Sequence, residues 1–160
     1  MPRGTLRNYI TSTAPEHITP SQRHDWAIQF TSGLQHLHRN GIIWGDLGTR
    51  NCLLADDLSL RLCDFAGSSL PGFPPTIAPS GRCCKNWDES ATMDSDHFGL
   101  GSAIYEIFTG SLPFQELTDE EVQNRFQAGL FPSTNGLTVG DVILKCWTEK
   151  YNNCGKILDN

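Results

Sequence analysis

Residues 42–69 read IIWGDLGTRNCLLADDLSLRLCDFAGSS, and they place Asp46, then Asn51 five residues on, then Asp64 eighteen residues after Asp46. Each polar residue lies beside a short apolar run: Ile42–Ile43, CLLA or LSLRLC. Runs of this length read as short buried strands, and acceptor side chains at strand ends are where a loop can hold a metal or receive a proton. Asp56 and Asp57 separate the second and third runs and suit the turn of a small hairpin.

Outward from this segment the periodicity becomes helical. Residues 21–40, SQRHDWAIQFTSGLQHLHRN, carry Trp26, Ala27, Phe30, Leu34 and Leu37 at helical spacing, with Ser21 as the expected N-cap and Gly41 as the stop. On the other side, residues 67–95 are rich in Pro, Gly and Ser without a period and predict a long loop, a class that is usually functional or mobile. DHFGLGSAIYEIFTG, residues 96–110, predicts a nearly all-apolar helix that must be buried. Thr118 and Glu121 have the spacing of a capping box and open a helix to about Ala128, and VGDVILKCW predicts another. The fold class expected is mainly α with a small β-hairpin that carries the polar residues.

A chain of 160 residues suffices for one domain with a real core. The formal net charge of −6 leaves no basic footprint for nucleic acid and no polybasic patch for a membrane. No apolar run is long enough to span a bilayer, and MPRGTLRNYITSTAPEH lacks the apolar segment of a signal peptide. The six cysteines form no CxxC pair, which favours free thiols in a reducing compartment over a disulfide frame or a zinc site. The expected location is cytoplasmic or nuclear.

The joint pattern resembles the C-terminal lobe of the eukaryotic protein kinase superfamily. WGDLGTRN matches the catalytic-loop pattern H-R-D-L-x-x-x-N at Asp46, Leu47 and Asn51, and CDFAG stands where D-F-G should stand. DHFGLGSAIYEIFTGSLPF looks like the family's central helix, whose opening Asp, here Asp96, ties down the catalytic-loop backbone. The helix ending in LHRNGII is similar to the one that precedes the loop. The resemblance runs from about Gly4 to Trp147. It implies that residues 1–160 are a partial protein kinase domain, reaching from the hinge to about the penultimate helices, with an activation-segment-like loop over 64–95.

For this chemistry the resemblance implies ATP and Mg²⁺ as cofactors, both bound weakly by the isolated chain. It makes Asp46 the carboxylate that orients and deprotonates the attacking hydroxyl, and Asn51 and Asp64 the Mg²⁺ ligands. Arg50 supports Asp46: DLGTRN looks like the tyrosine-kinase form DLAARN, as the Cys146–Trp147 pair does, while the choice among Ser, Thr and Tyr hydroxyls stays open. Leu53 matches the residue that floors the adenine pocket, and Thr5, near the end of the hinge, the one that touches ribose. A core residue and a helix cap explain these two equally well. The implied partner is a protein substrate or a docking partner, with no nucleic acid and no membrane. As a loop residue, Asp46 is expected to contribute to chemistry and little to folding.

The sequence also departs from the family. No Gly-rich loop, strand Lys or helix Glu lies within these residues, so only part of a nucleotide site is expected and the 160-residue chain alone is expected to be inactive. Trp44 replaces the loop His, and Gly45 the Arg that would bind an activation-loop phosphate. Ala66 replaces the Gly of D-F-G, with an expected loss of backbone freedom. SGRCCKNWDE lies where A-P-E would be, and the chain ends at LDN without the Arg that would pair with its Glu. Three readings follow: a piece of an active kinase, a pseudokinase-type binding module, or a truncated fragment that does not fold alone and exposes a large apolar face.

Overall fold

Thr19, not Ser21, caps the long helix. In the computed structural model, which describes residues 3–73, 82–86, 91–151 and 153–158, helix α2 spans Pro20–Arg39 and the Thr19 side chain accepts from the Gln22 amide at 3.2 Å. Pro20 occupies the first helical position, where its missing N–H costs nothing and its fixed φ is already helical. The helix therefore begins earlier than its apolar period announces. It buries Trp26, Ala27, Phe30, Thr31 and Leu34 and ends before Gly41, which adopts φ 71°.

The preceding helix α1, Leu6–Ser12, is too short for a legible period, and Thr5 caps it. Strands β1 (Cys52–Leu54) and β2 (Leu60–Leu62) form an antiparallel hairpin with Leu53 opposite Arg61. Asp57 organises its turn by accepting from the Ser59 amide at 3.0 Å and the Ser59 hydroxyl at 2.7 Å. On the other edge of β1 runs the extended segment before α1. The Arg3 amide donates to Leu54 O at 2.9 Å and the Leu54 amide to Gly4 O at 3.0 Å.

Helix α3, Met93–Thr109, opens three residues before Asp96 on a capping box of Thr92 and Ser95, and stops at Gly110 in the left-handed conformation. Nearly every residue from Asp96 to Ile107 is buried, as an apolar girth requires. Helix α4 (Asp119–Gln127) starts on the expected Thr118–Glu121 box. Helices α5 (Gly140–Trp147) and α6 (Gly155–Leu158) pack against α3 and α2 respectively. Phe131 stacks on Trp147 at 5.4 Å, and the Trp147 indole donates to Ser102 Oγ at 3.0 Å. The described residues are thus mainly helical with one small sheet. No helix among them is long and apolar enough to cross a membrane.

Gly101 lets α3 approach α5. A Cβ there would sit 2.8 Å from Cys146 Cβ and 3.3 Å from Ile143 O. Gly101→Ala should therefore lower stability by about 1–3 kcal/mol, as overpacking does; an unchanged urea midpoint would show that the helices can part freely.

One buried carboxylate ties α3 to α1 and to the turn that precedes β1. The Glu106 carboxylate accepts two bonds from the Arg7 guanidinium, at 2.8 and 3.0 Å, and a third from the Thr49 hydroxyl. None of the six cysteines is in a disulfide. Burial pushes the Cys84, Cys146 and Cys154 thiols up to about 12, so they stay protonated at neutral pH. Of the expected loop over 64–95, residues 74–81 and 87–90 lie outside the described residues, as do half of SGRCCKNWDE and the last two residues of LDN.

Candidate active site

The segment that follows α2 has almost no regular structure, and a buried carboxylate holds it. Asp96, in the first turn of α3 and 1% exposed, accepts from the Trp44 amide through Oδ2 and from the Gly45 amide through Oδ1, both at 2.8 Å. His38 Nε2, near the end of α2, lies 2.8 Å from the same Oδ2. Backbone groups 51 and 52 residues away in sequence are thereby satisfied by one side chain.

Gly45 has a local reason to be glycine. Its φ is 77°, and a Cβ there would lie 2.3 Å from the Gly67 carbonyl oxygen. Restoring an arginine by Gly45→Arg should therefore destabilise the chain by more than about 1 kcal/mol, the cost of left-handed backbone alone. A denaturation midpoint equal to that of the parent would refute this.

A 3₁₀ turn over Thr49–Asn51 folds the next side chains back onto Asp46. The Asp46 carboxylate is buried; Oδ1 accepts from Arg50 Nη2, and Oδ2 from Asn51 Nδ2 at 2.9 Å. Asn51 Nδ2 also donates to the Asp46 carbonyl at 2.8 Å. Burial works against the Arg50 charge, but Cys83 and Asp46 outweigh it, so its pKa rises and the guanidinium is permanently charged. Arg50 Nη1 reaches Cys83 Sγ at 3.6 Å and so joins Asp46 to the 82–86 segment. That segment is held in turn by Arg82, which donates to the carbonyls of Pro113, Phe114 and Leu117 and pairs with Asp119.

Asp64 arrives from the hairpin. The Cys63 amide donates to Asn51 O at 2.9 Å, so the exposed Asp64 stands one residue beyond that bond. Its φ is 58°, its Oδ1 accepts from the Ala66 amide at 3.3 Å, and its carbonyl accepts from the Trp44 indole at 3.2 Å. The left-handed residue of this segment is therefore Asp64. Ala66 has no positive φ, so alanine fits this conformation without left-handed strain. Leu53 and Thr5 are brought together by a β-bridge; Leu53 is half-buried, and Thr5 Oγ1 is engaged as the α1 cap, accepting from the Asn8 amide.

Two contributors escape a reading of the sequence. Trp44 bonds Asp96 through its amide and Asp64 through its indole, and its fully buried ring lies 5.8 Å from Phe30 and 5.9 Å from Phe65. His38 completes the Asp96 cradle. The one signal available for Trp44 was that a large aromatic stood where histidine was expected.

The donor set suits a small hard cation. Asn51 uses its amide N–H groups on Asp46 and can offer Oδ1, while Asp64 offers an exposed carboxylate. Two oxygen donors that leave the remaining coordination to water and phosphate fit the preferences of Mg²⁺.

Residues 1–70 match the family model of protein tyrosine and serine/threonine kinases. The chain is 25% identical to the serine/threonine/tyrosine-protein kinase HT1 of Arabidopsis thaliana, over 93% of this chain and 41% of that protein. It is 28% identical to the tyrosine-protein kinase-like otk of Drosophila persimilis, over 90% of this chain and 15% of that protein. Against the tyrosine-protein kinase Btk of Drosophila melanogaster the identity is 29%, over 93% of this chain and 21% of that protein. The chain thus spans less than half the length of these relatives.

Proposed function

We propose, for a chain that is a partial protein kinase domain, that it supplies the catalytic-loop half of a phosphoryl-transfer site acting on a protein hydroxyl. The reading rests on one arrangement above all: Asp46 is buried and oriented by Arg50 and Asn51, and Asp64 stands beside Asn51. Asp46 Oδ1 accepts from Arg50 and Oδ2 from Asn51, which fixes the plane of the carboxylate. Asp46 would position the Ser, Thr or Tyr hydroxyl and take its proton as the bond to phosphorus forms. Arg50 fixes that carboxylate through its guanidinium. Asn51 and Asp64 would hold Mg²⁺, which when bound neutralises charge on the phosphates of ATP. On the same reading Leu53 and Thr5, joined by a β-bridge, would face the base and ribose of ATP.

Supplying the N-terminal half of a kinase domain by fusion, and assaying phosphate transfer from ATP to protein, tests the reading. Transfer above background supports it; none, with both halves folded, favours a binding module. For the 160 residues alone, calorimetric titration with Mg·ATP should show very weak binding, because the other half of the phosphate contacts is not among them. Micromolar affinity would contradict that division of the site.

A further inference from the structure

We propose that His38, His97 and Cys154 form a largely buried three-ligand site for a zinc-class divalent cation, linked through Asp96 to the loop that carries Asp46. The three residues come from the end of α2, the first turn of α3 and the approach to α6, and one ligand atom from each lies within 4.8 Å of the others. Such a site leaves no CxxC or His-x₃-His spacing, because its ligands converge only in the folded chain.

The geometry is close to what such an ion needs. His38 Nδ1 and Cys154 Sγ are 3.7 Å apart. Tetrahedral Zn²⁺, with Zn–N near 2.0–2.1 Å and Zn–S near 2.3 Å, sets that edge at about 3.6 Å. The His97 nitrogen has only to close the remainder. His38 Nε2 is engaged by the Asp96 carboxylate, an arrangement that orients the ring and turns Nδ1 toward a cation, as in carboxylate–histidine–metal triads.

His97 supplies the independent observation. It is 2% exposed, yet neither Nδ1 nor Nε2 has a hydrogen-bond partner. The nearest carboxylate oxygen, on Asp94, is 3.7 Å from Nδ1, beyond hydrogen-bonding distance. A buried imidazole with both nitrogens unsatisfied is expensive. Simple packing of His97 against His38, with ring centroids 5.4 Å apart, explains the contact but not the orphaned nitrogens; a bound cation would satisfy one of them. Two imidazoles and a thiolate select a borderline ion such as Zn²⁺ and disfavour Mg²⁺. On binding, the Cys154 proton leaves for solvent as Sγ takes the metal, and the fourth position falls to water.

The site has a route to the loop. Asp96 Oδ2 receives both His38 Nε2 and the Trp44 amide, so a cation on Nδ1 that fixes the imidazole also firms the acceptor of the loop backbone. This does not depend on phosphoryl transfer.

Titrating Co²⁺ into the metal-free chain should reveal one equivalent bound, with the charge-transfer absorption of a Co²⁺–thiolate bond that Zn²⁺ displaces. Cys154→Ser and His97→Ala should each weaken binding at least about tenfold, while Cys63→Ser, outside the cluster, should leave it unchanged. Zn²⁺ should slow amide exchange at Trp44 and Gly45 in the parent and not in Cys154→Ser. Should Cys154→Ser fail to fold, His97→Gln serves the same comparison. Absence of a thiolate band in the parent overturns the proposal. So does undiminished binding in a folded His97 or Cys154 variant, or a band that Cys63→Ser removes.

Discussion

In a chain completed by the N-terminal half of a kinase domain, Asp46→Asn should lower phosphoryl transfer at saturating ATP by about 10²–10⁴-fold, the range set by removing a positioned general base. The amide keeps the shape of the carboxylate but cannot take the hydroxyl proton. Because Asp46 is not among the proposed Mg²⁺ ligands, the apparent affinity for ATP should hardly move. Asp64→Ala should behave in the opposite way, weakening ATP binding in Mg²⁺ and leaving it nearly unchanged in EDTA. Full activity in Asp46→Asn would mean that another residue takes the proton. The sequence leads one to expect that Asp46→Ala is silent in folding, and the structure revises this. Its carboxylate accepts from Arg50 and Asn51 in a buried setting, so truncation to alanine should cost about 1–3 kcal/mol. Asp46→Asn, which can still accept one of these two bonds, should cost less in stability than Asp46→Ala and is the closer probe of chemistry.

Asp96→Ala should be the most damaging single change to the fold of the site. It removes the acceptor of the Trp44 and Gly45 amides and of His38, and each orphaned buried donor costs about 1–3 kcal/mol. A combined loss of about 3 kcal/mol or more corresponds to a fall in Tm of about 6–12 °C for a chain of this size. Where the damage lands is as telling as its size. Thr92 and Ser95 already cap α3, so α3 should keep its start, while amide exchange should accelerate over residues 44–51. Replacement of Asp96 without faster exchange there would mean that something else holds the loop. Asp96→Asn, which can still accept one of the two amides, should fall between the parent and Asp96→Ala on both readouts.

Much of the architecture was legible because it is local. The stripe of Trp26, Phe30 and Leu34, the apolar girth of 96–107, the Thr118–Glu121 box and the hairpin around Asp56–Asp57 each depend on residues within a turn or two of one another. Asp46, Asn51 and Asp64 were legible as candidates for the same reason: their spacing along one short segment matches a known loop. Cap choice failed at Thr19 because Pro20 moved the helix start ahead of the apolar period. The left-handed conformation at Asp64, two residues before Ala66, left no mark in the sequence.

What only the tertiary structure decided is the set of contacts between residues far apart in the chain. No local pattern couples Asp96 to the Trp44 and Gly45 amides, Glu106 to Arg7 and Thr49, or Trp44 to both Asp64 and Phe30. These are buried polar and aromatic pairings, and their partners are set by how α2 and α3 pack. The meeting of His38, His97 and Cys154 is of the same kind. Periodicity records which face of an element is buried, whereas the identity of the group waiting in the interior to satisfy a buried donor depends on three-dimensional packing, which one chain read in order does not encode locally.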